Sequence, residues 1–330
     1  MNEYLKEIEE DPRIIQLHQE VMRTGKISTT NDAFAKKLFY RKEIFIDFLN
    51  SILARADDKK ILDLTYNDRE LNASGSTEKS SRLDITCTLA SGERVDLEIQ
   101  VSNEKAWIGR SLVYWSRLYT YNLRKGDKYL KVAPVICINL LKFNLFDVQK
   151  NPKPHSIAKL CNVEDGSPIT DLLEFHFLEL KKFSRKRISS MSRAEKWLAY
   201  FSGKLTDEDE RVMKKDKIFD EALNLRDEFI KDPDEYLAYL KREMEIMDYD
   251  NALYEAGLDG EARGEARGFA KGEATGFAKG EARGEAKAIY KKINSLVSQK
   301  KLSLEAALEL LDVSEQEWSE IKQVVEEKQK

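Results

Sequence analysis

The sequence predicts an α/β sandwich followed by a charged helical region, and three observations carry that expectation. Residues 82–89 and 94–101 alternate apolar and polar side chains strictly, as half-buried strands do. Residues 132–141, VAPVICINLL, form a nearly unbroken apolar run rich in β-branched residues, which suits a central buried strand. Helical periodicity flanks these segments and takes over from residue 190 onward, where the chain becomes highly charged.

Taken in order, residues 1–26 read as a helical leader. Residues 28–53 place Phe34, Leu38, Phe39, Ile44, Phe45, Phe48, Leu49 and Ile52 at helical spacing behind a polar cap at Thr30 or Asn31. Residues 60–71 alternate loosely, as a strand would, and 72–81 form a polar loop. The next two segments make a hairpin whose apolar residues, Leu83 to Leu89 and Val95 to Val101, must share one face. That pattern suggests Ala90 opposite Arg94, a loop of Ser91, Gly92 and Glu93, Asp84 opposite Gln100 and Thr86 opposite Glu98. Asp84, Glu98 and Gln100 then share the polar face. Residues 105–125 form a helix with Ile108, Leu112, Trp115 and Leu118 on one stripe and Arg110, Tyr114, Arg117 and Tyr121 on another, ended by Gly126. EFHFLELKKF at 174–183 reads as an edge strand. The helical region breaks at Lys231-Asp232-Pro233, and residues 302–321 close as two short helices, whose acidity favours packing or protein contact over DNA reading. This organisation divides the chain into a leader (1–26), an α/β domain (27–185), a helical domain (186–258), a repeat helix (259–298) and a terminal pair (299–330).

Composition excludes several classes. Three cysteines, Cys87, Cys137 and Cys161, are odd in number and far apart, which points to neither disulfides nor zinc. His18, His155 and His176 show no ligand spacing. The acidic start MNEYLKEIEEDPR lacks the apolar stretch of a signal peptide, and no run is long enough for a membrane span, so a cytoplasmic protein without membrane contact is expected. A net charge of −4 gives no global basic signature, and a nucleic-acid partner must be met locally or through metal ions.

Two carboxylates beside a third polar residue on one exposed sheet face are what a magnesium site for phosphodiester cleavage requires, since the ion takes hard oxygen ligands. Spacing alone describes a solvated polar face equally well. A resemblance decides between them. The order helix, strand, hairpin, helix, strand, with NDAFAKKLF, RLDIT…GERVDLEIQ and Arg110…Tyr114…Tyr121 before Gly126 and Tyr129, resembles the PD-(D/E)XK nuclease superfamily. More narrowly, it is similar to the recombination-promoting nucleases grouped with transposases, over residues 27–180.

The resemblance implies a restriction-endonuclease-like αβββαβ core and a metal-dependent DNA endonuclease linked to recombination, mobile elements or defence. It implies that Asp84 and Glu98 ligate magnesium, or manganese, with the Ile99 backbone carbonyl. Gln100 stands where the superfamily has lysine, a form usual in this subgroup; its amide orients water but carries no charge. Asp32 is a candidate for a further acidic group, with helix capping as its other reading. Arg110 and Tyr114 are candidates for phosphate contact and support of the metal ligands, Arg117 and Tyr121 sharing their face. The alternative is a non-catalytic, oligomeric DNA-binding or assembly protein on a nuclease scaffold.

Residues 260–286 repeat a four-residue unit with glycine at 260, 264, 268, 272, 276, 280 and 284. Period four excludes collagen. On an α-helix, seven glycines cost about 6–7 kcal/mol relative to alanine. Close packing of two or more such helices over glycine and alanine offsets that cost, so a homo-oligomer is expected; a flexible charged linker is the other reading.

Overall fold

The computed structural model describes residues 11–67, 85–102, 106–121, 123, 128, 132–299 and 301–326. The chain divides into two compact units, Met1–Asp250 and Asn251–Lys330.

In the first unit, helix α1 (Pro12–Thr24) begins at Asp11, whose side chain accepts from the Arg13 amide, and ends at Gly25 with φ of 63°. Its Ile14 and Val21 enter the main core. The continuous periodicity of residues 28–53 resolves into two helices, α2 (Asp32–Phe39) and α3 (Lys42–Leu53). Four consecutive polar residues, Tyr40 to Glu43, interrupt the apolar stripe there, and a bend lets both helices bury their phenylalanines. Asn31 caps α2 by accepting from the Ala33 amide.

A six-stranded mixed sheet runs in the order β1-β2-β3-β4-β6-β5, with β1 (Leu64–Tyr66), β2 (Ile85–Leu89), β3 (Arg94–Gln100), β4 (Val135–Leu141), β5 (His155–Lys159) and β6 (Leu173–Glu179). β3, β4 and β6 are mutually parallel, while β1–β2, β2–β3 and β5–β6 pair antiparallel. The expected edge strand is therefore an interior one. β6 lies between β4 and β5, and the true edge, β5, has no strict alternation to reveal it in HSIAK.

The hairpin register also differs from expectation. Thr88, not Ala90, lies opposite Arg94, and Thr86 lies opposite Asp96, not Glu98. The Leu89 amide bonds the Glu93 carbonyl, which makes the loop Ala90-Ser91-Gly92. Gly92, at φ of 91°, thus takes the last loop position, where a three-residue hairpin loop needs a left-handed residue. A shift of two residues leaves every side chain on its expected face.

One sheet face packs Ile85, Cys87, Leu89, Val95, Leu97 and Ile99 against α2 and α3, together with α5 (Arg193–Ser202) and α7 (Lys217–Lys231). Trp197 and Phe219 sit in this core, so the helices after residue 186 share it with the strands. The short α6 (Asp207–Met213), opened by a Thr206 capping box, adds Met213. The other sheet face is covered by α4 (Trp107–Thr120). Its buried residues are Trp107, Ser111, Tyr114 and Leu118, whereas Ile108 and Leu112 are 47% and 46% exposed. The expected apolar stripe is therefore split: Leu118 and Trp115 pack on the core while Ile108 and Leu112 turn outward, because the sheet beneath α4 is itself partly polar.

Helix α8 (Pro233–Gln299) follows the expected break and carries the glycine repeat; its first turns belong to this unit and bury Tyr236, Tyr239 and Leu240 in the main core. In the second unit, α9 (Leu304–Leu310) and α10 (Glu315–Glu326) pack Ala307, Leu308 and Trp318 against Ile293 of α8. Tyr290 stacks on Trp318 at 5.3 Å. Among the described residues, no helix is long and apolar enough to cross a membrane.

Candidate active site

The polar residues of β3, Asp96, Glu98 and Gln100, point toward α4. They are not on a solvated face. Asp96 and Glu98 are only 1% and 4% exposed, because β3 is sandwiched between β2 and β4 and roofed by the helix. Burial of two carboxylates on one strand is costly unless partners stabilise them. In the ladder, Glu98 lies beside Asn139, and Asp96 lies beside Cys137. Asn139 is completely buried and its amide oxygen accepts from Trp107 Nε1 at 3.1 Å and Ser111 Oγ at 3.0 Å. Its Nδ2 donates to the His176 carbonyl at 3.2 Å. The Cys137 thiol is pushed well above its ordinary pKa by burial first, then by the charges of Asp96 and Glu98.

α4 supplies the next group. Arg110 donates from Nε to the Tyr114 hydroxyl, and its guanidinium lies over the rings of Trp107 and Tyr114 at 5.4 and 5.3 Å. Tyr114 is buried, while Tyr121 is exposed on the last turn. Gln100 donates from Nε2 to the Ser102 carbonyl at 3.2 Å.

Where β3 ends, a cavity of about 280 Å³ opens. Its walls are Ile99 to Ser102 from the strand end, Thr30 and Asp32 from the start of α2, Arg110 from α4, and Arg242, Glu245, Ile246 and Tyr249 from α8. The structure thus gathers Asp32, Ile99, Gln100 and Arg110 in one opening. Glu98 lies one step down the same strand face, Tyr114 is tied to Arg110, and Asp84 lies outside the described residues. The donors in reach are carboxylate, amide and carbonyl oxygens, a set that fits a hard divalent cation. Among the described residues, no group of three His, Cys, Asp or Glu side chains converges to hold a metal, so Glu98 and Asp32 do not complete a site between themselves.

Two features were missed by the sequence reading. Asp96 belongs to the same alternation as Glu98 and could have been read from Asp96-Leu97-Glu98. The α8 wall had no local signal, since it meets α2 across the whole unit: Arg242 Nε donates to Asp32 at 2.9 Å, Asn31 Nδ2 donates to the buried Glu243 at 2.9 Å, and Lys37 pairs with Glu235. Ser102 Oγ donates to Asp250 at 2.7 Å. Burial raises the Glu243 carboxyl above its ordinary pKa despite the Asn31 bond.

On the opposite face of the sheet, the strands join two histidines that are far apart in sequence. His155 Nε2 and His176 Nδ1 are 2.8 Å apart, and His176 Nε2 is 2.8 Å from Glu174. The bond to His176, then Lys159, holds the Glu174 carboxyl down to about 2, while burial and the neighbouring His176 bring His155 down to about 4.

Comparison with known proteins adds one match: the family model described as PD-(D/E)XK nuclease family transposase covers residues 30–256. No curated protein and no solved structure matches the chain.

Proposed function

The chain belongs to the PD-(D/E)XK nuclease family transposases, and from that premise we propose that it is a metal-dependent DNA endonuclease acting in recombination, mobile-element or defence biology. The observation that carries the proposal is the meeting of Asp32, Ile99, Gln100 and Arg110 around one cavity at the end of the strand that bears Glu98. In this reading Asp84 and Glu98 hold magnesium, or manganese, with the Ile99 carbonyl. When bound, such an ion lowers the pKa of a coordinated water and neutralises charge developing on the phosphate. Gln100 orients water or a phosphate oxygen by hydrogen bonds, and Arg110, braced by Tyr114, faces the anionic substrate. Asn139, fixed by Trp107 and Ser111, holds the neighbouring ladder position rigid.

A plasmid-nicking assay with and without magnesium tests this directly. Cleavage should require the metal, and Asp84→Ala or Glu98→Gln should abolish it while each variant retains the parent's circular dichroism. Two variants that cleave like the parent would falsify the site assignment. Elemental analysis should find no stoichiometric zinc, given the oxygen donors.

We also propose that residues 260–286 assemble copies of this chain. Residues 251–282 are all exposed, Phe269 and Phe277 are each 73% exposed, and a Cβ built on any glycine from 260 to 284 would meet nothing within 4 Å among the described residues. The segment divisions at 26, 185, 258 and 298 then mark roles: leader, chemistry, support, assembly and terminal packing.

A further inference from the structure

The cavity at the end of β3 has a wall that the catalytic proposal leaves unused. Arg242, Glu245, Ile246 and Tyr249 lie three, four and seven residues apart, so α8 presents them on one face. Arg242 is the cation of that face. It donates from Nε to Asp32 at 2.9 Å and from Nη1 to Glu245 at 2.7 Å. Across the opening stands Arg110.

Arg226 in the same unit shows how this fold builds a structural arginine. Its side chain is 10% exposed and both Nη atoms reach the two oxygens of Glu210, at 2.8 and 3.0 Å. Arg242 is different. Its side chain is 44% exposed, it splits between two carboxylates, and Glu245 is 64% exposed. Pairs of this kind contribute little to stability. A guanidinium at the rim of a cavity, held in place by exchangeable partners, suits a polyanion whose phosphate oxygens accept two hydrogen bonds at once.

We propose that Arg242 binds a backbone phosphate of the nucleic-acid substrate, so that α8 supplies the second wall of the binding cleft opposite Arg110; this rests on the nuclease reading of the same site. Glu245 is its gatekeeper: it occupies the guanidinium when no phosphate is present and repels the backbone.

The test measures binding by the full chain, with fluorescence anisotropy of a short labelled duplex and calcium in place of magnesium. Arg242→Gln should weaken binding about five- to tenfold at moderate salt and lower the salt slope of the affinity by about one, the signature of one lost phosphate contact. Glu245→Gln should act in the opposite direction and tighten binding about two- to fivefold. Arg242→Lys should recover part of the affinity because the charge is kept and the fork is lost. A structural clamp would instead make both Gln variants melt lower and leave the salt slope unchanged. Parental affinity and slope in folded Arg242→Gln overturn this inference alone. A parent chain that binds no duplex overturns the nuclease reading and this inference together, whereas a parent that binds DNA but never nicks it overturns only the catalytic part.

Discussion

Glu98 and Asp96 are two residues apart on one face of β3 and almost wholly removed from water. Glu98→Gln keeps the volume and removes one charge. Cleavage should be lost in the nicking assay while the circular dichroism of the variant matches the parent's. Glu98 and Gln100 were legible because a two-residue period and a hairpin fix which side chains share a face. The burial of Glu98 was not, because it depends on α4 offering Ser111 and Tyr114 to the sheet. The histidine pair was illegible for a similar reason: β5 and β6 bring together residues that no spacing rule connects. That pair carries a pH signature. His155 falls to about 4 in the folded protein from an ordinary 6.5, so its contribution to stability is present above pH 6.5 and is lost as pH falls toward 4. Glu174 has the same sign lower down, losing its contribution as pH falls from 4.5 toward 2. Melting curves of His155→Gln should therefore decline less than the parent's between pH 7 and pH 4.5; parallel declines would sink this assignment.

Elements were read with uneven success for identifiable physical reasons. The hairpin was found from alternation, but its register was two residues out, since apolar matching is satisfied by either loop. Glycine conformation broke the tie. Gly92→Ala must force a side chain into φ of 91° and should cost about 1 kcal/mol, read as a lower urea midpoint. β5 escaped notice because an edge strand with three exposed residues needs no apolar period. The break after Lys231 and the two terminal helices were visible through proline and caps. For the repeat, helix propensity and assembly make opposite demands on the same glycines. Replacing Gly268, Gly272 and Gly276 with Leu should raise helicity yet lower the sedimentation coefficient by blocking close approach. A monomeric parent, or an equally assembled triple variant, would contradict the assembly proposal.

For the molecule as a whole, the family match over residues 30–256 and the compact unit ending at Asp250 nearly coincide, so the helices after the sheet belong with it. The second unit has its own small core, and Trp318→Ala should cost that core about 3–5 kcal/mol. Calorimetry should show the variant losing a transition of small enthalpy while the main one stays in place. The ties between α2 and α8 have a consequence in time. Asn31 bonds Glu243 and Asp32 bonds Arg242 across 212 and 210 residues, and Arg13 bonds Asp248 across 235. At about 5–20 residues per second of synthesis, α2 waits roughly 10–40 s for the helix that walls its cavity. A ribosome-bound chain halted after β6 therefore lacks both the helices that complete the main core and the α8 side of the cavity. The order of translation itself leaves the cavity without its last wall until almost all of the family's 30–256 span has been made.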